Sequence, residues 1–131
     1  MKASSFNLQA RLVTYAVAII RLSETLPRKA AGRHICDQIL RSGTSPAPNY
    51  GEAQSAESRN DFTHKLKIAL KELRETYVWL QILQQSGIAS SPAALEPLIG
   101  ETNELIAIFA TCIKTTMARQ GLESDMGTEE P

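Results

Sequence analysis

The hydrophobic positions of this chain recur at alternating steps of three and four residues, which is the spacing of one face of an α-helix. In the first stretch they are Leu8, Leu12, Tyr15, Ile19, Leu22 and Leu26. The pattern predicts a helix over about residues 5–24. Pro27 then interrupts the chain, and it can begin a second helix because the first helical turn needs no proline amide.

The same spacing returns in the middle of the chain. Its positions are Phe62, Leu66, Ala69, Leu73, Thr76, Leu80 and Leu83. Ser58 can cap this helix by accepting from its free amides, and Asp61 favours its positive end. Gly87 suits the left-handed conformation that often follows a helix. The sequence therefore predicts a helix over residues 59–86.

A further periodic segment follows Ser91 and Pro92, a cap residue and a first-turn residue. Its apolar positions are Leu95, Leu98, Thr102, Leu105, Phe109, Cys112 and Thr116. The pattern predicts a helix over residues 91–120, with Gly121 as its stop. No segment alternates with period two over a useful length, so we expect no strand.

The segment between residues 28 and 57 is the least regular. Its first half supports a helix with Ala30, Ala31, Ile35, Cys36, Ile39 and Leu40. Gly43, Pro46, Pro48 and Gly51 would normally end that helix near Ser42, since an internal proline removes a hydrogen bond and clashes with the preceding turn. Backbone chemistry alone thus predicts a loop over 43–57, which is long for a small bundle.

The shared spacing of these segments is typical of helices that pack side by side at a shallow angle. Because the connections near 25–27 and 87–91 are short, consecutive helices should be antiparallel. The sequence predicts an all-α, antiparallel up-and-down four-helix bundle, with helices over about 5–24, 28–57, 59–86 and 91–120.

Composition and charge are consistent with one globular domain: the chain has 131 residues, of which 43% are hydrophobic and 21% charged. The net charge is zero but unevenly placed. Residues 1–120 hold all 14 basic residues and 10 of the 14 acidic ones, a net +4, and the last eleven residues carry −4. We therefore expect a bundle domain over 1–120 and an acidic, disordered tail over 121–131.

Cysteine usage and hydropathy both point to the cytoplasm. Cys36 and Cys112 are too few and too distant for a disulfide framework, and we interpret them as buried thiols in a reducing compartment. The apolar run over residues 12–20 is too short to cross a bilayer, and no cleavage site of a signal peptide follows it.

No pattern of catalytic residues stands out. The glycines between Gly43 and Gly51 lack the lysine and hydroxyl of a phosphate loop. Paired E-x-x-H motifs of a di-iron site are absent, and Asp61 is better explained as a cap. His34 and His64 are interpreted as surface residues. We expect no enzyme, no cofactor, no metal site and no small-molecule substrate.

The helices carry more apolar residues than one core stripe requires. The additional positions are Ile68, Trp79, Ile82, Ile99, Ile106 and Ile113. In a monomer of four helices none is surrounded, so these residues predict self-association. The alternative is that a broad core stripe covers them.

Basic residues concentrate in the second and third helical segments. The candidate contacts to nucleic acid or another partner are Arg28, Lys29, Arg33, Arg41, Arg59, Lys65 and Lys67. Acidic residues are interleaved with them, so ordinary pairs on helix surfaces remain the alternative.

The stretch RSGTSPAPNYGEAQSAESRNDF, followed by KLKIALKELRETYVWLQIL, resembles the signature of a family of small bacterial four-helix bundles. That family was first noticed in open reading frames within intervening sequences of large-subunit rRNA genes. It includes the accessory protein of diversity-generating retroelements. The matching positions span Arg41 to Ser45 and continue through Asn49, Glu52, Ser58 and Asp61 into the next helix.

The resemblance implies that residues before Asn49 belong to a helix, which Pro46 and Pro48 would kink or break. It also implies a pentamer that binds RNA or DNA and works with a reverse transcriptase. The polar positions of the family motif are Asn49, Glu52, Lys71, Glu72 and Glu75. We expect Asn49 and Glu52 to make structural contacts across helices, to Lys65, Lys71 or Arg74.

Three functions follow in order of preference. The first is a non-enzymatic, cytoplasmic oligomeric scaffold or adaptor that contacts protein or nucleic acid. The second is an RNA- or DNA-binding accessory protein that acts with a reverse transcriptase or at an rRNA locus. An enzyme is a distant third.

Overall fold

A computed structural model describes residues 7–128, with side chains placed from Asn7 to Gly121. Its helices are α1 (Leu8–Glu24), α2 (Ala30–Thr44), α3 (Pro46–Gln54), α4 (Arg59–Ser86) and α5 (Leu95–Thr128), and a 3-10 turn over Pro92–Ala94 precedes α5. Within the described range no strand occurs. Together α2 and α3 form one bent helix, so the predicted all-α four-helix bundle is confirmed.

The bend between α2 and α3 keeps the backbone helical. Ser45, between the two helices, has φ −67° and ψ −35°, which are helical values. The amide of Ser45 donates to the carbonyl of Arg41, and the amide of Asn49 donates to that of Ser45. Pro46 tolerates this position because it opens the first turn of α3. The loop predicted from backbone chemistry over 43–57 is therefore wrong, and the kink implied by the family resemblance is confirmed.

Small side chains at the bend allow close helix packing. A Cβ atom added to Gly43 would lie 2.8 Å from the side chain of Ile19 on α1. Ser42 is fully buried, and its hydroxyl lies 2.8 Å from that of Thr76 on α4. The Thr44 hydroxyl donates to the Leu40 carbonyl at 2.6 Å. The bent helix can thus approach both α1 and α4.

The four helices are arranged in sequence order around the core. The bent α2–α3 helix packs against α1 and α4, and α5 packs against α4 and, more loosely, against α1. Since neighbours are antiparallel, α1 and α4 run parallel and are diagonally opposed. The core contains fully buried residues from each side, including Leu12, Ile39, Leu73 and Phe109.

The predicted boundaries of α4 are confirmed, but the predicted C-terminal end of α5 at Gly121 is wrong. The Ser58 hydroxyl accepts from the amide of Asp61 at 3.0 Å, and Gly87 has φ 70°, a left-handed C-cap. By contrast, α5 continues through Gly121 to Thr128. An exposed glycine costs a helix only about 1 kcal/mol, which does not by itself end it. Residues 129–131 of the expected tail lie outside the described range.

The core stripe of α5 also differs from the prediction near its end. Ile113 is buried with 8% exposure, whereas Cys112 lies at the surface and Cys36 is half-buried. The buried positions of α5 step by four from Phe109, where the predicted stripe stepped by three. The interpretation of both cysteines as buried thiols is therefore wrong for Cys112.

We predict that two Gly→Ala substitutions have opposite effects on stability. At Gly32 the added Cβ would lie 1.9 Å from the carbonyl oxygen of Pro27, so Gly32→Ala should destabilise the fold by about 3 kcal/mol. Gly100 lies in α5 with open space around it, so Gly100→Ala should stabilise it by about 1 kcal/mol. Urea unfolding measures both free energies, and equal effects would contradict the close contact at Pro27.

Candidate interaction surfaces

A polar network joins α2 to α4. The Arg41 guanidinium donates to Glu72 at 2.8 Å and also binds Glu75. Glu75 in addition accepts from the Trp79 indole at 3.0 Å, and His34 packs edge-on against that ring with centroids 5.8 Å apart. Arg41, Glu75 and Trp79 therefore bind one another within the chain, as does Glu72 with Arg41, and all four belong to the family motif.

A second contact of this kind joins α3 to α4. Lys65 donates to Glu52 at 2.6 Å, and this hydrogen bond raises the pKa of Lys65. The side-chain amide of Asn49 instead donates to the carbonyl and hydroxyl oxygens of Ser45 at 3.0 and 2.8 Å, and among the described residues its side chain forms no hydrogen bond to another helix of the bundle. The structure therefore has the expected cross-helix contact for Glu52, whereas Asn49 stabilises the bend. Lys71 is exposed on α4.

The seam between α1 and α5 is held by polar contacts that the sequence did not indicate. Arg11 donates to both carboxylate oxygens of Glu101, at 2.7 and 2.8 Å, and to Glu104 at 2.7 Å. The hydrogen bond to Glu101 is the main cause that raises the pKa of Arg11. Because Arg11 and Glu101 are 90 residues apart, no local pattern could have paired them.

Below this ion pair, two buried hydroxyls meet. The hydroxyl oxygens of Tyr15 and Thr102 are 2.6 Å apart, and Thr102 donates its proton to the Leu98 carbonyl at 2.7 Å. Tyr15 must therefore be the donor to Thr102, since a hydroxyl has one proton. Burial raises the pKa of Tyr15, which keeps that proton in place. The sequence offered one signal for this contact: Tyr15 lies within the apolar stripe of α1, and Thr102 lies within that of α5.

Where α1 ends and α5 begins, the seam between these two helices opens into a groove of about 600 Å³. We call it the α1–α5 groove. Most of its lining is apolar, and Arg21 and Glu101 are its charged lining residues. Its apolar lining includes Val17, Ala18, Leu22, Ala94, Pro97 and Leu98. Val17 is 40% exposed, and Val13 and Ile20 continue its apolar stripe along α1 with 50% and 41% exposure.

The outer side of α4 carries two further exposed apolar residues. Val78 is 51% exposed and Ile82 is 40% exposed. They continue a stripe of exposed cations at steps of four and three residues, which one helix face brings together. We call this stripe the α4 ridge, and its residues are Lys67, Lys71, Arg74, Val78 and Ile82.

The residues predicted to form an oligomer interface do not share one surface. Ile113 is buried in the core of the single chain, and Trp79 is held in the network with Glu75. Three others are half-buried: Ile68, Ile99 and Ile106. Only Ile82 lies on the exposed ridge. The sequence did not single out Val13, Val17, Ile20 or Val78, because a helical repeat does not reveal which edge of a broad stripe remains uncovered.

The predicted basic contacts fall into separate groups. Arg41 and Lys65 are held in ion pairs between helices. Four others are exposed and form no ion pair within the described residues: Arg28, Lys29, Arg33 and Lys67. Arg59 is exposed at the first position of α4. Arg28, Lys29 and Arg33 lie around the turn from α1 to α2, at one end of the bundle.

No group of three potential metal ligands occurs among the described residues. His34 packs against Trp79, and His64 is exposed. Neighbouring side chains partly shield Cys112 and raise the pKa of its thiol, which disfavours the reactive thiolate. Within residues 7–128 no helix combines the length and hydropathy needed to cross a bilayer.

Comparisons with known proteins agree with this architecture. The profile of a family described as 23S rRNA-intervening sequence protein matches residues 7–111, which include α1 to α4 and half of α5. The chain belongs to this family. A crystal structure of a protein of unknown function from the S23 ribosomal protein family of Bacteroides thetaiotaomicron is similar, with a TM-score of 0.75 and 35% identity over 81% of this chain and 97% of that one. No curated protein matches the chain.

The region of the chain that matches the family contains every surface described above. The polar network, the α1–α5 groove and the α4 ridge all lie within residues 7–111. The resemblance inferred from the motif is therefore confirmed as family membership. The last part of α5, from Cys112 onwards, lies beyond the match.

We predict that Tyr15→Phe lowers the free energy of unfolding by about 1 kcal/mol, because it removes the donor to Thr102 while the ring still fills the core. Tyr77→Phe is the matched control. Tyr77 is half-buried on α4, and its hydroxyl forms no hydrogen bond within the described residues. Urea unfolding compares the two variants, and an equal loss from both would contradict a stabilising role for the Tyr15 hydroxyl.

Proposed function

We propose that this protein is a non-enzymatic homo-oligomeric scaffold that contacts other macromolecules through its outer helix faces. The observation that carries the proposal is the exposure of ordered apolar stripes on two diagonally opposed helices. Val13, Val17 and Ile20 follow one another on α1, and Val78 and Ile82 on α4.

Single exposed apolar residues are normal, but a contiguous run on a rigid helix is typical of an interaction site. Fully covering a valine or isoleucine is worth about 1.5–3 kcal/mol, so the half-exposed stripes leave several kcal/mol available to a partner. A second chain could supply that cover.

The polar side chains support a scaffold over a catalyst. Arg41, Glu72 and Glu75 bind one another, as do Lys65 and Glu52, so the motif residues serve the fold. Because these charged residues are paired within the chain, the surface that remains exposed on α4 is apolar and basic. A rigid bundle with such surfaces is suited to assembly and adaptor roles.

The solution mass tests this proposal. Light scattering coupled to size exclusion should give a multiple of the 14.4 kDa chain mass, with five chains expected from the family resemblance. The mass should fall on dilution, as mass action requires. A mass of one chain at every concentration would contradict the scaffold proposal.

A second candidate is binding to RNA or DNA. The observation that favours it is the separation of cations: Arg28, Lys29 and Arg33 lie together at the α1–α2 turn without ion pairs among the described residues, whereas Arg41 and Lys65 are paired. Cations without carboxylate partners can neutralise phosphates without reading sequence. The family description also names the intervening sequence of 23S rRNA, which suggests a role at an rRNA locus.

We predict that replacing Arg28, Lys29 and Arg33 together by Gln weakens RNA binding and lowers the slope of log K against log salt by about 2–3, because each phosphate contact contributes about 0.7–0.9. The matched control replaces Arg41 and Lys65 by Gln, which removes charges that already have partners. Filter binding across a salt series, with nucleic acid first removed from the protein, measures both. Equal slopes for the two variants would contradict a binding site at the turn.

A further inference from the structure

We propose that the α1–α5 groove binds a small amphiphilic anion, whose apolar chain lies between the two helices and whose carboxylate pairs with Arg21. The proposal goes beyond the scaffold function and does not depend on it. It commits to a free monocarboxylate as the occupant, because the groove combines an apolar lining with one cation that has no partner among the described residues.

The shape of the groove suits a linear ligand. The groove lies where α1 and α5 pack more loosely than the other neighbouring helices of the bundle. Its volume of about 600 Å³ falls within the range of about 300–1,000 Å³ that is usual for small-molecule pockets. On α1 the lining extends from Thr14 to Thr25, which corresponds to about 16 Å along the helix. The groove is therefore an elongated slot.

The inside of the slot is apolar. Leu22 and Leu98 are 6% and 8% exposed, so they form its floor. Val17 and Ala94 are exposed at its edges, one on each side. An apolar chain laid between them would be removed from water together with these side chains. Each methylene that the slot covers should tighten binding by up to about fourfold.

Of the two charged residues that line the slot, only Arg21 is available to a ligand. Glu101 accepts two hydrogen bonds from Arg11, at 2.7 and 2.8 Å, which offset its charge. The Arg21 side chain forms no ion pair or hydrogen bond within the described part of the chain. Glu24 lines a different cavity, between α1 and α2. The unpaired charge of the slot is therefore positive, and a guanidinium is well suited to binding a carboxylate.

The polar groups at one end of the slot give the ligand a direction. Arg21 lies in the last turn of α1, Thr25 follows that helix, and Ser91 precedes the 3-10 turn before α5. The Ser90 hydroxyl donates to the Thr25 carbonyl at 3.1 Å, so these two segments meet. Towards the other end, the Tyr15 hydroxyl is already engaged within the core. We therefore place the carboxylate at the Arg21 end and the tip of the apolar chain towards Tyr15.

Calorimetric titration with decanoate tests the site, and decyltrimethylammonium is the comparison ligand, with a similar chain and the opposite charge. Both are used below the concentrations at which they form micelles. Wild-type protein should bind decanoate about tenfold more tightly than the cation, because only the carboxylate can pair with Arg21. In the series hexanoate, octanoate and decanoate, each step should tighten binding by about fivefold or more.

Variants locate the site. Ala94→Trp fills the slot from the α5 side, and Ala93→Trp is its matched control, because Ala93 is exposed in the same turn but does not line the slot. Both positions are exposed, so both variants should fold, as circular dichroism would verify. Ala94→Trp should weaken decanoate binding by about tenfold or more, and Ala93→Trp should leave it unchanged. Arg21→Glu should reverse the preference, so that this variant binds decyltrimethylammonium more tightly than decanoate.

Several results would overturn the inference. They are equal affinity for the two ligands, no effect of chain length, equal weakening by both tryptophan variants, and no binding of decanoate up to its solubility limit. Binding to phosphatidylglycerol vesicles without binding to free decanoate would also overturn it, since a lipid surface would then be the partner.

The solution mass separates this inference from the scaffold proposal. A protein that assembles but does not bind decanoate contradicts the ligand site alone. A protein that binds decanoate and has the mass of one chain at every concentration contradicts the scaffold proposal alone.

Discussion

The fold depends on a helix that bends at two prolines without losing its helical backbone. Ser45 retains helical torsion angles, and its amide and carbonyl both take part in backbone hydrogen bonds. Gly43 and Ser42 are too small to keep neighbouring helices apart. As a result α1 lies in contact with Gly43, and α4 lies in contact with Ser42. Arg41 on α2 and Glu52 on α3 both reach side chains of α4.

The polar contacts on either side of this bend determine which surface remains for partners. Arg41 draws Glu72 and Glu75 to one side of α4, and Lys65 binds Glu52 close by. The opposite side of α4 is left with lysines, an arginine and exposed apolar residues. On the far side of the bundle, Arg11 and Tyr15 bind residues of α5, and the seam opens into the α1–α5 groove towards the C-terminal end of α1. The same arrangement of side chains therefore determines both the ion pairs within the chain and the surface that faces outward.

Particular residues show how far the sequence predicts this molecule. The caps at Ser58 and Gly87 follow from local chemistry and are found as expected. Ile113 and Cys112 are adjacent, and the repeat assigned the core to the wrong one because steps of three and of four from Phe109 both fit one helix face. Trp79 has an apolar ring, but its indole has a partner in Glu75 that local sequence does not reveal. The exposed stripe on α1 was missed since exposure depends on what other helices cover.

By itself the sequence determined the family, the number of helices, most of their ends and the all-α class, because periodicity, caps and a dense motif are local properties. Tertiary structure decided whether Pro46 and Pro48 bend or end the helix, since that depends on what packs against Gly43 and Ser42. It also decided which cations are paired and where the apolar surface stays open. Those features arise from contacts between residues far apart in the chain, such as Arg11 with Glu101, and no local pattern encodes such distances.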